Sequence, residues 1–285
     1  MNSHRVLVGL ATLLAVALGA NSVCSGANKV SVGRNVSRGK LVSMDQVKHG
    51  AWDALLARYV DDSGNVAYSL WQKSAVDMRA LDAYLAALSA ADPQTSASEP
   101  AQLVFWINAY NAVTVRGILR EYPTTSIRNH TPKLFGYNIW YDLLLTVGGR
   151  QYSLHQMEHE ILRKMDKPRI HFAIVCASRS CPRLLNEAYA ADKLEDQLTD
   201  NTKVFFANPG NFRFEPGSRR MQLSSIVKWY SEDFGDGQAE QLRTIAPYLP
   251  NRRAHDAAMK NAVVVSYLEY DWLLNDQATA RTARP

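Results

Sequence analysis

Cysteine is scarce: the 285-residue chain has three, at positions 24, 176 and 181. That is too few for a disulfide-stapled miniature scaffold, or for a domain organised round clustered cysteine metal ligands. Beyond residue 20 no stretch is apolar enough to cross a bilayer, which takes about 20 consecutive apolar residues. There is no Gly-rich phosphate loop, no G-x-S-x-G elbow and no dinucleotide fingerprint, which excludes the usual nucleotide-binding and serine-hydrolase signatures. Charge of one sign is not concentrated either. The formal excess of +5 is spread over positions such as Arg116, Arg120, Arg163, Lys164, Arg219, Arg220, Arg252 and Arg253, whereas a nucleic-acid binder gathers its basic residues on one face. Repeats and low-complexity linkers are missing, and helices do not alternate regularly with strands. A doubly wound fold is thereby set aside in favour of an α+β class.

What is present begins at the N-terminus. Arg5 gives a positive start, residues 6–20 are apolar and uncharged, and Ala20-Asn21-Ser22 and Ser25-Gly26-Ala27 offer small-x-small exits. This pattern predicts a secretory signal peptide over residues 1–27, and so an exported, periplasmic or secreted protein. An uncleaved anchor needs a longer run, and a lipoprotein anchor at Cys24 is opposed by the large Val23 before it. Residues 28–43 read as a mature N-terminal lead and residues 44–275 as a single compact domain. The polar tail, residues 276–285, reads as disordered.

Apolar spacing predicts helices over residues 44–59 and 70–88. Ser98, with Glu99 and Pro100 behind it, caps a third that runs to about Arg120 and is apolar on nearly every face; it should lie at the centre of the fold. Residues 140–147 read as a strand that turns at Gly148-Gly149. Ser153 and Gln156 form a capping box for a helix to about Met165. Residues 171–175 read as a short buried strand. A helix over 194–206, a hairpin over 212–223 and a last strand over 262–267 complete a small mixed or antiparallel sheet beside the central buried helix.

Three polar groups interrupt these apolar elements. Asn108 and Asn111 share a face of the central helix, where a buried amide must find partners, either in a neighbouring loop or in a pocket. His155-Gln-Met-Glu158-His159 matches the inverted zinc motif H-x-x-E-H, but spacing marks no third ligand. Glu158 and His159 read better as an acid/base pair, with no metal and no cofactor. Cys176 closes the predicted strand and opens a loop of small polar residues, Ala177-Ser178-Arg179-Ser180-Cys181-Pro182. Its amides could form an anion-binding nest beside Arg179 and activate a thiolate. The competing reading is a Cys176–Cys181 disulfide, as oxidising compartments favour. Strand geometry puts His171 on the opposite face from Cys176, offset by about 16 Å at about 3.3 Å per residue, so His159 is the better base. Trp229-Tyr230 and Glu232-Asp233-Phe234 alternate aromatics with acids and could line a sugar or peptide groove.

Several motifs together resemble the widespread domain-of-unknown-function family numbered 547. They are the central-helix stretch from Phe105-Trp106-Ile107-Asn108 to Asn111-Ala112, then Glu158-His159-Glu160-Ile161-Leu162-Arg163, and Arg169 to Ala173 through Cys176 to Pro182. Ile226 to Tyr230 with Asp233-Phe234-Gly235, and Tyr270-Asp271-Trp272, extend the likeness over about residues 101–275. The resemblance implies no activity; it leaves His155 outside the pattern and gives Cys176 a role beyond a disulfide. The reading that follows is an exported thiol-dependent hydrolase or transferase acting on an amide or ester of the cell envelope. Cys176 is the nucleophile, His159 the base, and Glu158 or Asn108 the orienting group. Asn111, Ser178, Arg179, Ser180 and His171 serve as binding residues, with the loop amides as oxyanion donors. The alternative is a non-catalytic module that binds a peptide, glycan or protein of the envelope, and a metal-dependent hydrolase comes third. Nucleic acid is not expected as a partner.

Overall fold

Apolar residues at helical spacing do form helices here, but caps decide where each begins. In the computed structural model, which describes residues 29–132 and 137–282, strand β1 (Val30–Val32) leads to α1 (Gly50–Tyr59), α2 (Tyr68–Lys73) and α3 (Ala75–Leu88). The single helix expected over 70–88 is two, because the Ser74 hydroxyl accepts from the Asp77 amide and starts α3 there. The helix α4 (Glu99–Glu121) starts at Ser98, whose hydroxyl accepts from the Ala101 amide. Pro100 sits in its first turn, where a missing N–H costs nothing. As its pattern requires, α4 is buried on nearly every face: Phe105, Val113 and Ile118 are at 0% exposure and Trp106 at 3%.

Asn138 caps a helical turn, α5 (Ile139–Asp142), by accepting from the Trp140 amide at 3.0 Å. Strand β2 (Leu143–Val147) therefore starts three residues later than its sequence pattern suggests. Gly148 and Gly149, both at positive φ (57° and 82°), turn it into β3 (Arg150–Ser153), a conformation two glycines adopt without strain. The first sheet has the order β1-β2-β3, with β1 parallel and β3 antiparallel to β2, so the N-terminal lead is part of the sheet. The Ser153–Gln156 capping box forms and starts α6 (Leu154–Gln156). The chain then passes through a π-turn, Met157–Ile161, and a 3-10 turn to Met165.

The expected strand at 171–175 does not form. Residues Pro168–Phe172 make a 3-10 turn, and side-chain amides replace the ladder of a sheet. Asn111 donates to Ala173 O and accepts from the Val175 amide, both at 3.0 Å, and Asn201 donates to Phe172 O at 2.7 Å. Helix α7 (Leu194–Ala207) follows, then β4 (Phe212–Glu215) and β5 (Arg220–Leu223). Short helices α8 (Ser225–Trp229), α9 (Ser231–Phe234), α10 (Gln238–Ile245) and α11 (Arg252–Met259) lead to β6 (Val264–Tyr267). The second sheet, β4-β5-β6, pairs β4 antiparallel and β6 parallel to β5.

The described part of the tail packs on the domain rather than standing free. Asp276 accepts from the Tyr122 hydroxyl at 2.8 Å, Gln277 donates to Tyr59 O and Asn65 O, and α12 (Gln277–Thr282) follows. The signal-peptide residues lie outside the described residues. The protein is thus an α+β domain with two small mixed sheets rather than one. Its apolar residues form two clusters, one around α4 and one around the second sheet with Phe172, Phe205, Phe206 and Phe234. Among the described residues no helix is long and apolar enough to cross a membrane.

Candidate functional site

A cavity of about 290 Å³ opens where the two apolar clusters meet. The middle of α4 contributes Tyr110, and the α5 turn contributes Trp140 and Tyr141. His155 comes from α6, Glu158 and His159 from the π-turn, and His171 from the 3-10 turn. Tyr230 follows α8, and Tyr270 and Trp272 follow β6. A π-turn widens a helix locally and re-aims its side chains; here it brings Glu158 and His159, adjacent in sequence, to one wall.

Two groups of rings line the cavity. In one, the rings of Tyr141 and His155 lie 4.7 Å apart and those of His155 and His159 4.5 Å. In the other, Trp229, Tyr270 and Trp272 lie within 5.7 Å of one another. Glu158 is at the base, 6% exposed. Tyr230 donates to its Oε1 at 2.5 Å and Tyr110 to its Oε2 at 2.9 Å. Burial, and next the Glu158 charge, push both phenols above their ordinary range. No lysine or arginine pairs with Glu158 among the described residues; its nearest cation candidate is His159 Nε2 at 3.9 Å.

Behind this base runs an ion network. His171 Nε2 meets Asp233 Oδ2 at 2.6 Å, and Arg163 clasps the same carboxylate with two bonds of 2.6 and 2.7 Å. Burial alone would raise the Asp233 carboxyl. The hydrogen bonds from His171 and Arg163, with their charges, outweigh it and hold the group well below the carboxylate range. Arg163 also donates to His159 Nδ1 at 3.0 Å. This fixes neutral His159 with its hydrogen on Nε2. Burial and the cationic neighbours lower its pKa further, against the opposing pull of Glu158.

Cys176 and Cys181 both line the cavity, and they are joined in a disulfide. Ala177 turns the loop between them at φ 57°, a strained conformation for alanine. The loop amides do not form an anion nest: Arg179 N donates to Leu273 O, Ser180 N to Asp271 O and Cys181 N to Ser178 O. The Ser178 hydroxyl is buried against Tyr270, 2.9 Å away. Ser178 and Arg179 line a separate surface groove with Asn65 and Arg183, and Ser180 bonds Asp271.

Of the residues the sequence singles out, the structure brings Cys176, His159, Glu158 and His171 to one cavity, with His155 beside them. It does not bring Asn108 or Asn111. Asn108 accepts from the Tyr189 amide and donates to the Tyr189 carbonyl, and Asn111 is spent on residues 173–175, so neither amide is free to orient a histidine. His171 is the opposite case: without the strand, the argument that set it on the far face from Cys176 no longer holds. Among the described residues there is no group of three or more potential ligands that could hold a metal ion. Sequence reasoning missed Tyr110, Trp140, Tyr141 and Tyr270 as wall residues. The alternation of acids and aromatics at 229–234 was the signal for Tyr230 and Asp233.

Residues 94–206 match the family model described as "Protein of unknown function, DUF547". The match covers Cys176, Glu158, His159 and His171 but stops short of Tyr230, Asp233, Tyr270 and Trp272, so it is narrower than the resemblance read from the sequence. No curated protein and no solved structure matches the chain.

Proposed function

We propose an exported binding module whose ligand enters the cavity among its two groups of aromatic rings. The observation that carries the reading is the Cys176–Cys181 disulfide at the cavity wall. The two sulfurs are bonded to each other and the amides of Arg179, Ser180 and Cys181 are paired, so these groups act as structure. The cavity suits a flat apolar face, as on a sugar ring or an aromatic peptide side chain, with Glu158 accepting a hydroxyl or amide hydrogen. A closed cysteine pair also accords with an oxidising compartment. Peptide mapping of the native protein should find residues 176 and 181 unreactive to thiol reagents. Titration with soluble envelope glycans and peptides should quench tryptophan fluorescence, and Trp229→Ala should abolish the response. Two free thiols in the native protein would sink this reading.

A second reading stays in view because His171, His159 and half-exposed Cys176 share the cavity. In it, reduction of the disulfide frees a thiol that hydrolyses or transfers the acyl group of an ester or amide. Turnover of a simple ester that appears only after reduction, and disappears in Cys176→Ala, tests it.

A further inference from the structure

The second reading leaves unassigned the group that takes the proton from Cys176. The geometry points to His171, held by Asp233, as the base that makes Cys176 a thiolate once the disulfide is opened. This inference rests on that thiol reading.

His171 makes its hydrogen bond through Nε2, to Asp233 at 2.6 Å. A carboxylate at Nε2 fixes the hydrogen there, so Nδ1 carries the lone pair, and it belongs to a ring that lines the same cavity as Cys176. Asp233 is itself fixed by the two bonds from Arg163. The ring is clamped 4.1 Å from that of Tyr230 and 5.6 Å from that of Phe234, and its side chain is 1% exposed. His159 is disqualified by the same reasoning. Its lone pair, on Nδ1, faces the Arg163 guanidinium at 3.0 Å, and a proton cannot be accepted there without expelling that donor. The hydroxyls of Tyr270 and Ser178 each lie 3.0 Å from Cys176 Sγ, within donating reach of a thiolate. Asp233 and Arg163 are positioning residues; Tyr230, Glu158 and His159 complete the charged and titratable groups round His171.

A dithiol reductant opens the site. It gives two electrons and two protons to the S–S bond, leaving two thiols, and closes to its own disulfide. Cys176 then passes its proton to His171 Nδ1, and the imidazolium rests against Asp233. The thiolate attacks the carbonyl carbon of an ester or amide. The C–O or C–N bond breaks, and the leaving group takes the proton from Nδ1. Water hydrolyses the thioester, its proton returning by the same route to release Cys176.

The test uses the full chain carrying Cys181→Ser, which leaves Cys176 unpaired without added reductant. The rate of iodoacetamide alkylation at residue 176 is read by peptide mass spectrometry from pH 5 to 9. Near pH 6 the parent should react about tenfold or more faster than His171→Gln, the effect of one unit or more in thiol pKa. Asp233→Asn, which keeps the size of the side chain, should move the midpoint upward in the same direction. Asp233→Glu should restore part of it, and His159→Gln should track the parent. Circular dichroism confirms that each variant is folded. The assignment is overturned if the parent thiol titrates near its ordinary value of about 8.5, or if His159→Gln rather than His171→Gln moves the midpoint. A shifted midpoint without ester turnover retires the acyl-transfer reading and leaves the thiolate–imidazolium pair standing.

Discussion

Two sets of polar side chains, buried or half-buried, differ in what they bond. Asn108 and Asn111 spend both ends of their amides on backbone: the first on Tyr189, the second on Ala173 and Val175. Glu158, His171 and Asp233 bond other side chains and line or back a cavity. An amide that completes the hydrogen bonds of an irregular segment is scaffold, because the segment could not be buried without it. A carboxylate held by two phenols, beside a cavity and with no lysine or arginine partner among the described residues, adds little to folding and much to a site. Polar burial alone does not identify function; the identity of the partners does.

The sharpest way to break that comparison is to attack the scaffold and the site separately. Trp106→Ala removes a large core aromatic packed on Phe105 and Tyr152, and should cost about 3–5 kcal/mol in denaturant unfolding. A loss below about 1 kcal/mol would deny α4 its central role. Asn111→Ala strands the Val175 amide and the Ala173 carbonyl, and should cost about 2–4 kcal/mol at about 1–3 kcal/mol for each orphaned group. A near-neutral result would move Asn111 out of the scaffold. Replacing both Cys176 and Cys181 with alanine should cost about 2 kcal/mol for so short a loop and leave the fold intact.

Acid should separate the two regions by window. Burial lowers His49 to about 4, against about 6.5 when unfolded. Its folded state therefore binds fewer protons, and its share of stability is full above pH 6.5 and lost as pH falls toward 4. Asp233 is held below the carboxylate range, so its share is present above about pH 4 and lost below it. Unfolding midpoints measured against pH should lose their upper limb in His49→Gln and their lower limb in Asp233→Asn. Identical profiles would undo the distinction. The smallest effect on stability should come from Glu158→Gln, within about 1 kcal/mol of the parent and of either sign. If the cavity is the site, the same change should still abolish the fluorescence response to ligand.

Much of the scaffold was legible because it rests on local rules. Ser98, the Gly148-Gly149 turn and the Ser153–Gln156 box each act within a few residues, and all three form. The errors have a common cause. The strand expected at 171–175 and the pocket role of Asn111 fail together, and the Asn108 amide is spent on the Tyr189 backbone, the loop alternative. The apolar run reads as a strand whose partners would come from a sheet; its partners come instead from Asn111 and Asn201, 62 and 29 residues away at their nearest bonds. No pattern along the chain encodes such a substitution, and the offset argument against His171 fell with it.

By itself the sequence determined the class, the buried helix and most turn positions, because spacing, caps and positive-φ glycines are short-range properties. It also named Cys176, Glu158 and His159 as chemistry-bearing residues by setting polar groups into apolar elements. Tertiary structure alone decided that the two cysteines close on each other and that the loop amides pair with residues 271–273. It also decided that His171 meets Asp233, 62 residues away, beside the Tyr230 ring. Each of those outcomes depends on which surfaces of two separate apolar clusters come together, and hydrophobic packing is non-directional: it fixes that they meet, while hydrogen-bond geometry at the seam fixes which groups face one another.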